Sequence, residues 1–282
     1  MKSSNRKIAR TITAALISLF CLAGVSLAAT QPLNEPYGLA LDSKGNLFVA
    51  NYGANQVLLY DPNYQQLTSK TITDLLDGPT GVALDPLGNI FVANVNSNTV
   101  NQYTPNRQIN MQFTNGIATP TAIAVDGIGN LWVTNSSTLT LLGTDWGNVV
   151  LATTSASYIG VKYFLGVATG GGKMAVGTDQ GFEWDPIALY LTYQSTSADP
   201  VANTDGTALA FDGPGNIYSG NADGSVDFFN VTNRKLRHFL TLSYIPRGIV
   251  VDNARGRVYI SDFTDNQIQV YSTKGVLLKT IK

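Results

Sequence analysis

Short apolar segments alternate with polar turns along most of the chain. At Gly38–Asp42 small and bulky apolar residues alternate, and an Asp-x-x-Gly-Asn turn motif then leads into the β-rich segment Leu47–Asn51. Valine, isoleucine and aromatic residues favour strands, whereas aspartate accepts backbone hydrogen bonds across a turn and glycine adopts positive φ. The pattern therefore predicts pairs of short antiparallel strands joined by tight turns.

The same unit is repeated along the chain. Its aspartate position falls at residues 42, 85, 126, 170, 212 and 252, and Gly170 replaces the aspartate in the fourth unit. A third strand that ends in an aromatic residue and a fourth strand complete each unit; in the first unit they are predicted at Gln56–Tyr60 and Gln66–Ile72. Four strands in a period of about 42 residues are typical of a propeller blade. We therefore predict an all-β fold, a six-bladed β-propeller with four antiparallel strands per blade, over residues 29–282.

The two ends of this region indicate how the ring closes. Pro32 and Pro36 interrupt the segment before Gly38, so this segment is a poor donor of a full outer strand. We expect the sixth blade to be completed by its own C-terminal strand, Val276–Ile281.

The repeated motif has a recognisable consensus. It reads Pro-x-Gly-[Ile/Leu/Val]-Ala-[Leu/Val]-Asp-x-x-Gly-Asn-[Leu/Ile]-[Phe/Trp]-Val-[Ala/Thr]-Asn, and it resembles the NHL repeat of six-bladed β-propellers. The resemblance extends over essentially the whole chain after residue 28. It implies the propeller fold, but it implies no particular activity, because one fold carries many functions.

Two rings of residues are predicted at one end of the propeller, where loops enter the first strand and leave the second strand of each blade. The first ring consists of Tyr37, Thr80, Thr121, Leu165, Thr207 and Arg247, and the second of Asn51, Asn94, Asn135, Thr178, Asn221 and Asp262. Because the asparagines recur in most blades, they favour a structural role in closing loops, with a polar ligand or cation at the channel mouth as the alternative. The departures from the repeat are Glu35, Tyr37, Arg247 and Asp262. These four, together with Asn51, Asn94, Asn135 and Asn221, are the candidate ligand-binding residues.

Two groups of enzymes are similar to this pattern. Gluconolactonase-type lactonases imply a divalent cation held by a glutamate near the start, asparagines and a late aspartate; Glu35 and Asp262 match these positions, whereas Arg247 replaces the family's asparagine. Streptogramin lyases imply a histidine and a magnesium ion, but the single histidine, His238, is predicted in the outermost strand of the fifth blade. We therefore assign no catalytic residue and no metal ligand. The expected cofactor is none, with a divalent cation in the central channel as the alternative.

The N-terminal segment has the layout of a secretory signal peptide. Basic residues at 2, 6, 7 and 10 precede an apolar run at 14–25, and Ser26 and Ala28 fit the small-residue cleavage rule. Residues 1–28 are therefore predicted to be removed, which makes the protein secreted or periplasmic. The run is shorter than the roughly 20 residues that span a bilayer, so an uncleaved anchor is the less favoured interpretation and no stable membrane span is expected after removal.

Composition and charge exclude several classes of function. The chain is 44 % hydrophobic and 13 % charged, which excludes a disordered protein. Loss of the four N-terminal cations takes the net charge from -1 to about -5, and nucleic acid is then an improbable partner. The only cysteine, Cys21, lies in the removed segment, so the mature chain has neither disulfides nor thiolate chemistry.

These observations favour a secreted or periplasmic module that binds a small polar ligand, a glycan, or a protein or peptide partner. One alternative is a metal-dependent lactonase or lyase derived from the enzymes named above. Another alternative is a purely structural protein of the cell envelope.

Mass spectrometry of the exported protein is expected to find a chain that begins at Ala29, because the cleavage rule is satisfied at Ser26 and Ala28. An exported protein that retains residues 1–28 would support the anchor instead.

Overall fold

The computed structural model describes residues 29–144, 149–155, 164–170, 173–178, 187–190, 199–202 and 206–282. The predicted signal peptide lies outside these residues. Strands dominate the described chain, and its only helices are the two short 3-10 helices Tyr52–Ala54 and Thr68–Lys70. No described helix combines the length and the apolar character needed to cross a bilayer.

The strands form six antiparallel sheets, each built from consecutive segments of the chain. The first sheet contains β1 (Pro36–Leu41), β2 (Leu47–Asn51) and β3 (Gln56–Tyr60); the second contains β4 (Pro79–Leu84), β5 (Ile90–Asn94), β6 (Thr99–Tyr103) and β7 (Ile109–Phe113); the third contains β8 (Pro120–Val125), β9 (Leu131–Asn135), β10 (Thr138–Gly143) and β11 (Val149–Ser155). The fourth contains β12 (Phe164–Gly170), β13 (Lys173–Thr178), β14 (Ile187–Tyr190) and β15 (Asp199–Ala202); the fifth contains β16 (Ala208–Phe211), β17 (Ile217–Gly220), β18 (Ser225–Asn230) and β19 (Lys235–Thr241); the sixth contains β20 (Ile249–Asp252), β21 (Arg257–Asp262), β22 (Gln267–Ser272) and β23 (Leu277–Ile281). The described chain is therefore an all-β propeller.

The predicted number of complete blades is wrong. Among the described residues five blades have four strands, not six, because the first sheet has only three. The segment predicted as its fourth strand, Gln66–Ile72, makes just two isolated bridges to β3, and the 3-10 helix Thr68–Lys70 interrupts it between them. The side chain of Gln66 instead bonds the backbone of Gln31, accepting from its N–H at 2.6 Å and donating to its carbonyl at 2.7 Å.

Hydrophobic contacts join each sheet to the next and the last sheet to the first. Within the described residues, six buried clusters lie one at each of these interfaces. The closing cluster brings Leu39 and Leu58 of the first sheet against Tyr259 and Ile268 of the sixth. The sixth sheet is completed by β23, as the sequence predicted, since this strand pairs with β22. The ring is thus closed by side-chain packing rather than by a shared strand.

The two ends of the propeller are built differently, and we name them by their connections. At the turn end, the first strand of each sheet joins the second, and in the first, second, third and fifth sheets this turn is the Asp-x-x-Gly-Asn motif. Asp42 fixes this turn by accepting from the N–H groups of Lys44 (2.9 Å) and Asn46 (2.8 Å), while Gly45 takes a φ of +84°. At the loop end, the first strands begin and the second strands finish, so both predicted rings of residues lie there.

A repeated asparagine clamp joins neighbouring sheets at the loop end. The Oδ1 atoms of Asn55, Asn98 and Asn266 accept from the backbone N–H groups of Gly78 (2.7 Å), Thr119 (2.6 Å) and Glu35 (2.7 Å) in the sheet that follows around the ring. All six residues have φ between 47° and 64°, the left-handed region that asparagine and glycine tolerate best. The bond from Glu35 to Asn266 links the first sheet to the sixth.

Replacement of Asn98 by glycine is expected to lower the free energy of unfolding by about 1–2 kcal/mol, because the amide of Thr119 loses its acceptor while the backbone at 98 keeps its conformation. Urea denaturation measures the change. The control is Asn98→Asp, which retains an acceptor oxygen and should lose much less. Equal losses in the two variants would contradict the clamp.

Candidate ligand site at the loop end of the channel

A central channel runs between the first strands of the six sheets. Its wall combines small or aliphatic residues such as Gly81 and Ile123 with threonine hydroxyls. Arg247 is the one charged residue among the described residues of this wall. Any ligand in the channel therefore meets a single fixed positive charge.

The threonine hydroxyls of the first predicted ring bond to protein groups: Thr121 Oγ1 donates to the carbonyl of Thr134 within its own sheet, at 3.1 Å, and two others reach the next sheet. Thr80 Oγ1 donates to the carbonyl of Pro120 at 2.9 Å, and Thr207 Oγ1 donates to the carbonyls of Gly220 and Pro246 at 2.8 and 3.1 Å. Pro120 lies in β8 of the next sheet and Pro246 in the segment that leads into β20, so the bonds to these two carbonyls cross between sheets, whereas the bond to Gly220 stays within the fifth sheet. The hydroxyls are thus structural, and Arg247 remains as the distinctive group of this ring.

Arg247 lies against aromatic rings rather than against a carboxylate. Its guanidinium carbon is 5.6 Å from the ring centre of Tyr37 and 5.9 Å from that of Phe263. Within the described chain it has neither a hydrogen bond nor an ion pair. The two rings stabilise the cation by cation–π attraction and leave its N–H donors available.

Three aromatic side chains form a half-buried cluster beside this cation, which we call the aromatic triad: Tyr37, Tyr52 and Phe263. The rings of Tyr37 and Phe263 meet edge to face, with centres 6.0 Å apart, and Tyr52 lies 6.3 and 6.1 Å from them. Tyr37 lies in β1, Tyr52 begins the 3-10 helix after β2, and Phe263 lies in the loop after β21, so the triad spans the closing interface of the ring. The structure thus brings Tyr37 and Arg247 together, as the sequence predicted.

Sequence reasoning missed Tyr52 and Phe263. Each directly follows the residue that ends the second strand of its blade, Asn51 or Asp262, where other blades have Val95, Ser136 or Ala222. A comparison of this position between blades would have detected both as departures from the repeat.

The four predicted asparagines are buried, and their amides hold loops in place. Each Oδ1 atom accepts from the backbone that leads into the first strand of its own sheet: Asn51 from Asn34 (2.7 Å), Asn94 from Asp77 (3.2 Å), Asn135 from Ala118 (3.0 Å) and Asn221 from Gly206 (3.4 Å). These contacts agree with a structural role for the asparagines, in which each side chain closes a loop of its own blade. Ligand binding by the asparagines stays a prediction.

Asp262 and Glu35 do not lie in the channel wall. Asp262 is fully buried, and its carboxylate accepts from the N–H groups of Thr264 and Asp265 (both 3.1 Å) and from Gln267 Nε2 (2.8 Å). Glu35 is half-buried at a left-handed backbone position in the asparagine clamp. Neither carboxylate is paired with Arg247. Asp262 therefore occupies the structural position that asparagine fills in other blades.

The geometry does not fit the divalent cation implied by the lactonase resemblance. The described residues contain no group of three or more His, Cys, Asp or Glu side chains that could hold a metal ion. Asp262 has committed both carboxylate oxygens to protein donors, and the guanidinium of Arg247 repels a cation from the channel. Near Asp262, burial raises the pKa of Tyr244 above its ordinary value, so this phenol is neutral and supplies no base.

His238 lies far from the channel, in the outermost strand of the fifth sheet, as the sequence predicted. It is an exposed residue of β19, the outermost strand of the fifth sheet. Its ring contacts Asp227 Oδ1 at 3.3 Å and Thr241 Oγ1 at 3.1 Å. It contributes no proton donor or acceptor to the channel.

The sheet that carries Arg247 also carries the sequence match to a known family. The NHL repeat family model matches residues 244–271, which include Arg247, Asp262 and Phe263. This segment therefore matches the NHL repeat. The predicted resemblance to NHL propellers is therefore confirmed for this segment, and two residues of the candidate site belong to the repeat.

Two solved structures share the propeller fold over most of the chain. A streptogramin B lyase is 13 % identical and has a TM-score of 0.61, with 90 % of this chain and 85 % of that chain covered. A gluconolactonase from Xanthomonas campestris is 13 % identical and has a TM-score of 0.65, with 82 % and 84 % covered. No curated protein matches the sequence. At such identities the likeness shows the propeller fold alone.

Substitutions in the NHL repeat should separate structure from binding. We expect Asp262→Ala to lower the free energy of unfolding by about 2–3 kcal/mol, because three donors lose a buried charged acceptor. Arg247→Ala should lower it by less than about 1 kcal/mol, since only cation–π contacts are lost. Urea denaturation of both variants tests this, and a larger loss for Arg247→Ala would show that Arg247 is the structural residue.

Proposed function

We propose that the protein is a secreted or periplasmic binding module that takes a small anionic ligand at the loop end of its channel. The observation that carries this proposal is the half-buried guanidinium of Arg247, which lines the channel without a carboxylate partner. Groups of this kind are usually paired when they leave water, because partial burial of a charge costs free energy. An unpaired one at the mouth of a cavity supports a ligand that supplies the pairing charge.

The chemistry of arginine defines the anionic part of the ligand. A planar guanidinium presents parallel N–H donors that match the two oxygens of a carboxylate or the oxygens of a phosphate. The rings of Tyr37 and Phe263 contact the guanidinium of Arg247 and limit its rotation, which favours one orientation of its N–H donors. We infer a carboxylate as the primary group, since Arg247 is the only cation of the channel wall within the described residues and a doubly charged group would need more.

The aromatic triad defines the remainder of the ligand. Half-buried aromatic surfaces contact sugar rings or peptide groups through their faces and bond hydroxyls or amides through phenol oxygens. An acidic sugar, alone or at the end of a glycan, and the C-terminal carboxylate of a peptide both combine these features. The proposed ligand class is therefore a small polar carboxylate.

Titration calorimetry with matched pairs of probes tests the proposal. The pairs are glucuronate against glucose, and a short peptide with a free C-terminus against its amide. At least one carboxylate should bind about tenfold or more tightly than its neutral partner, since a charge-assisted pair contributes 1.4 kcal/mol or more. Arg247→Gln should abolish the preference, and Arg247→Lys should keep only part of it because the bidentate geometry is lost.

The control for this titration is Lys44→Gln, at the turn end, which should bind as the wild type does. Carboxylate and neutral probes that bind equally, or a preference that survives in Arg247→Gln, would contradict the proposed site.

The second candidate is a metal-dependent lactonase or lyase, and the similarity to a gluconolactonase and a streptogramin B lyase favours it. It predicts that the purified protein retains a divalent cation and hydrolyses gluconolactone when calcium, magnesium, manganese or zinc is added. Metal analysis and a lactone assay test these two points. Absence of both would remove this candidate and leave the binding module.

A further inference from the structure

The outermost strand of the fifth sheet has a free edge. Among the described residues, β18 is the only strand that pairs with β19. The first four residues of β19, 235–238, are exposed, and the one backbone bond that they make outside the sheet runs from the N–H of Lys235 to Asn233 Oδ1 at 3.1 Å. Such an edge presents backbone N–H and C=O groups to which a further strand can bond.

Positive charge is concentrated on the outer hairpins of the fifth and sixth sheets, which hold the third and fourth strands. These hairpins, residues 225–241 and 267–281, contain one acidic residue, Asp227, and five cations: Arg234, Lys235, Arg237, Lys274 and Lys279. The corresponding described segments of the first three sheets, residues 56–72, 99–113, 138–144 and 149–155, contain Lys70 and Arg107 against Asp61. The charge therefore follows two neighbouring blades rather than one end of the propeller.

Two of these cations project from one face of β19. Lys235 and Arg237 pair with Asn230 and Phe228 of β18, and side chains two positions apart in a strand lie on the same face. This face is directed toward the sixth sheet, because Phe228 packs against the hydrophobic cluster between the fifth and sixth sheets. The guanidinium carbon of Arg237 lies 4.1 Å from the ring centre of Phe228, and neither cation has a carboxylate partner in the described chain.

The sixth sheet adds a third cation beside β19. A Cβ atom at Gly275, in the turn between β22 and β23, would lie 3.2 Å from the carbonyl oxygen of Phe239, so this turn contacts β19. Lys274 occupies the preceding position of the same turn and is exposed, without a carboxylate partner within the described residues. The edge of β19 is therefore bordered by cations from two sheets.

The aspartates of these two sheets leave this charge largely unbalanced. Asp227 lies on the opposite face of β18, where its carboxylate contacts His238 at 3.3 Å. In the turns between the first and second strands, Asp252 forms an ion pair with Arg255 at 3.0 Å, which leaves Asp212 as the one carboxylate there without a basic partner in the described chain. The other described aspartates of the two sheets lie at the loop end: Asp223, Asp262 and Asp265. One carboxylate therefore stands against the three cations beside β19.

We propose that β19 receives an extended acidic segment of a protein partner, which adds to the fifth sheet as a further strand. Backbone bonds to the free edge supply affinity, and acidic side chains at alternate positions of the added strand meet Lys235 and Arg237. A second copy of this chain fits poorly, since pairing β19 with β19 brings like charges together. An acidic polysaccharide matches the charge but has no peptide groups with which to bond the edge. β17 and β18 lie between this edge and the channel wall, so the surface is independent of the Arg247 site.

Titration calorimetry with synthetic peptides, capped at both ends, tests this docking on the full chain as it is exported. The probe is a short peptide in which glutamate alternates with threonine, and it is compared with the same peptide carrying glutamine in place of glutamate. A third peptide has proline in place of threonine, which retains the charge but cannot pair as a strand. The wild type should bind the first peptide at least about tenfold more tightly than either of the others, with affinity that falls as salt is raised. Amide hydrogen exchange within β19 should slow when this peptide binds.

The double variant Lys235→Gln/Arg237→Gln should bind the glutamate–threonine peptide at least about tenfold more weakly than the wild type, because both charge pairs are lost. The matched control is Lys70→Gln/Arg107→Gln, which removes the same charge from the outer segments of the first two sheets and should bind as the wild type does. Thermal unfolding should confirm that all three proteins fold alike.

Four results would each overturn the proposal. The first is no binding of the glutamate–threonine peptide. The second is equal binding of the proline peptide or of the polysaccharide alginate, which would show that charge alone suffices. The third is unchanged binding by Lys235→Gln/Arg237→Gln, which would place the peptide elsewhere on the protein. The fourth is an equal loss in the control variant, because binding would then follow net charge rather than β19.

Discussion

The closing interface between the first and sixth sheets is the constraint on which the rest of the structure depends. A single sheet of three or four short strands cannot bury both of its faces, so each sheet relies on two neighbours. At the closing interface these neighbours lie at opposite ends of the chain. Leu39 packs toward Tyr259, the clamp joins Glu35 to Asn266, and Ser261 Oγ donates to the carbonyl of Tyr37 at 2.7 Å. Gly248 is required here, because a Cβ atom would collide with that same carbonyl oxygen.

The candidate ligand site lies on this interface for a physical reason. Identical blades generate identical interfaces, so a unique site needs blades that differ. The first and sixth sheets differ most at the loop end, where Tyr37, Tyr52, Arg247 and Phe263 replace the threonines and small residues of other blades. Each sheet supplies part of the cluster, and neither part surrounds the cation alone. The ring geometry therefore converts local departures from a repeat into one asymmetric site.

Much of the fold could be predicted from the sequence, because the repeat reports local structure directly. Alternation and turn motifs gave strands such as Gln56–Tyr60 correctly, and the spacing identified β23 as the last strand of its own sheet. The failure at Gln66–Ile72 has a tertiary cause. The side chain of Gln66 binds the backbone of Gln31, a contact between segments 35 residues apart that no local pattern encodes.

The site was harder to predict than the fold, because function there depends on which side chains remain unpaired. Asp262 and Arg247 both depart from the repeat, yet Asp262 finds three donors within five residues of itself, whereas Arg247 finds only aromatic rings. Residue type alone does not distinguish these outcomes. The position after the second strand, occupied by Tyr52 and Phe263, would have improved the prediction, since neighbouring blades have smaller residues there.

Closure without a shared strand has a thermodynamic consequence. The two ends of the ring meet through side-chain packing and through hydrogen bonds between side chains and backbone, and the aromatic triad contributes rings from both sides of this interface. A ligand bound against Arg247, Tyr37 and Tyr52 would contact both the first and the last blade and so hold the two ends of the propeller together. Opening of the closing interface would then require loss of the ligand, so the free energy of opening the ring would increase with ligand concentration.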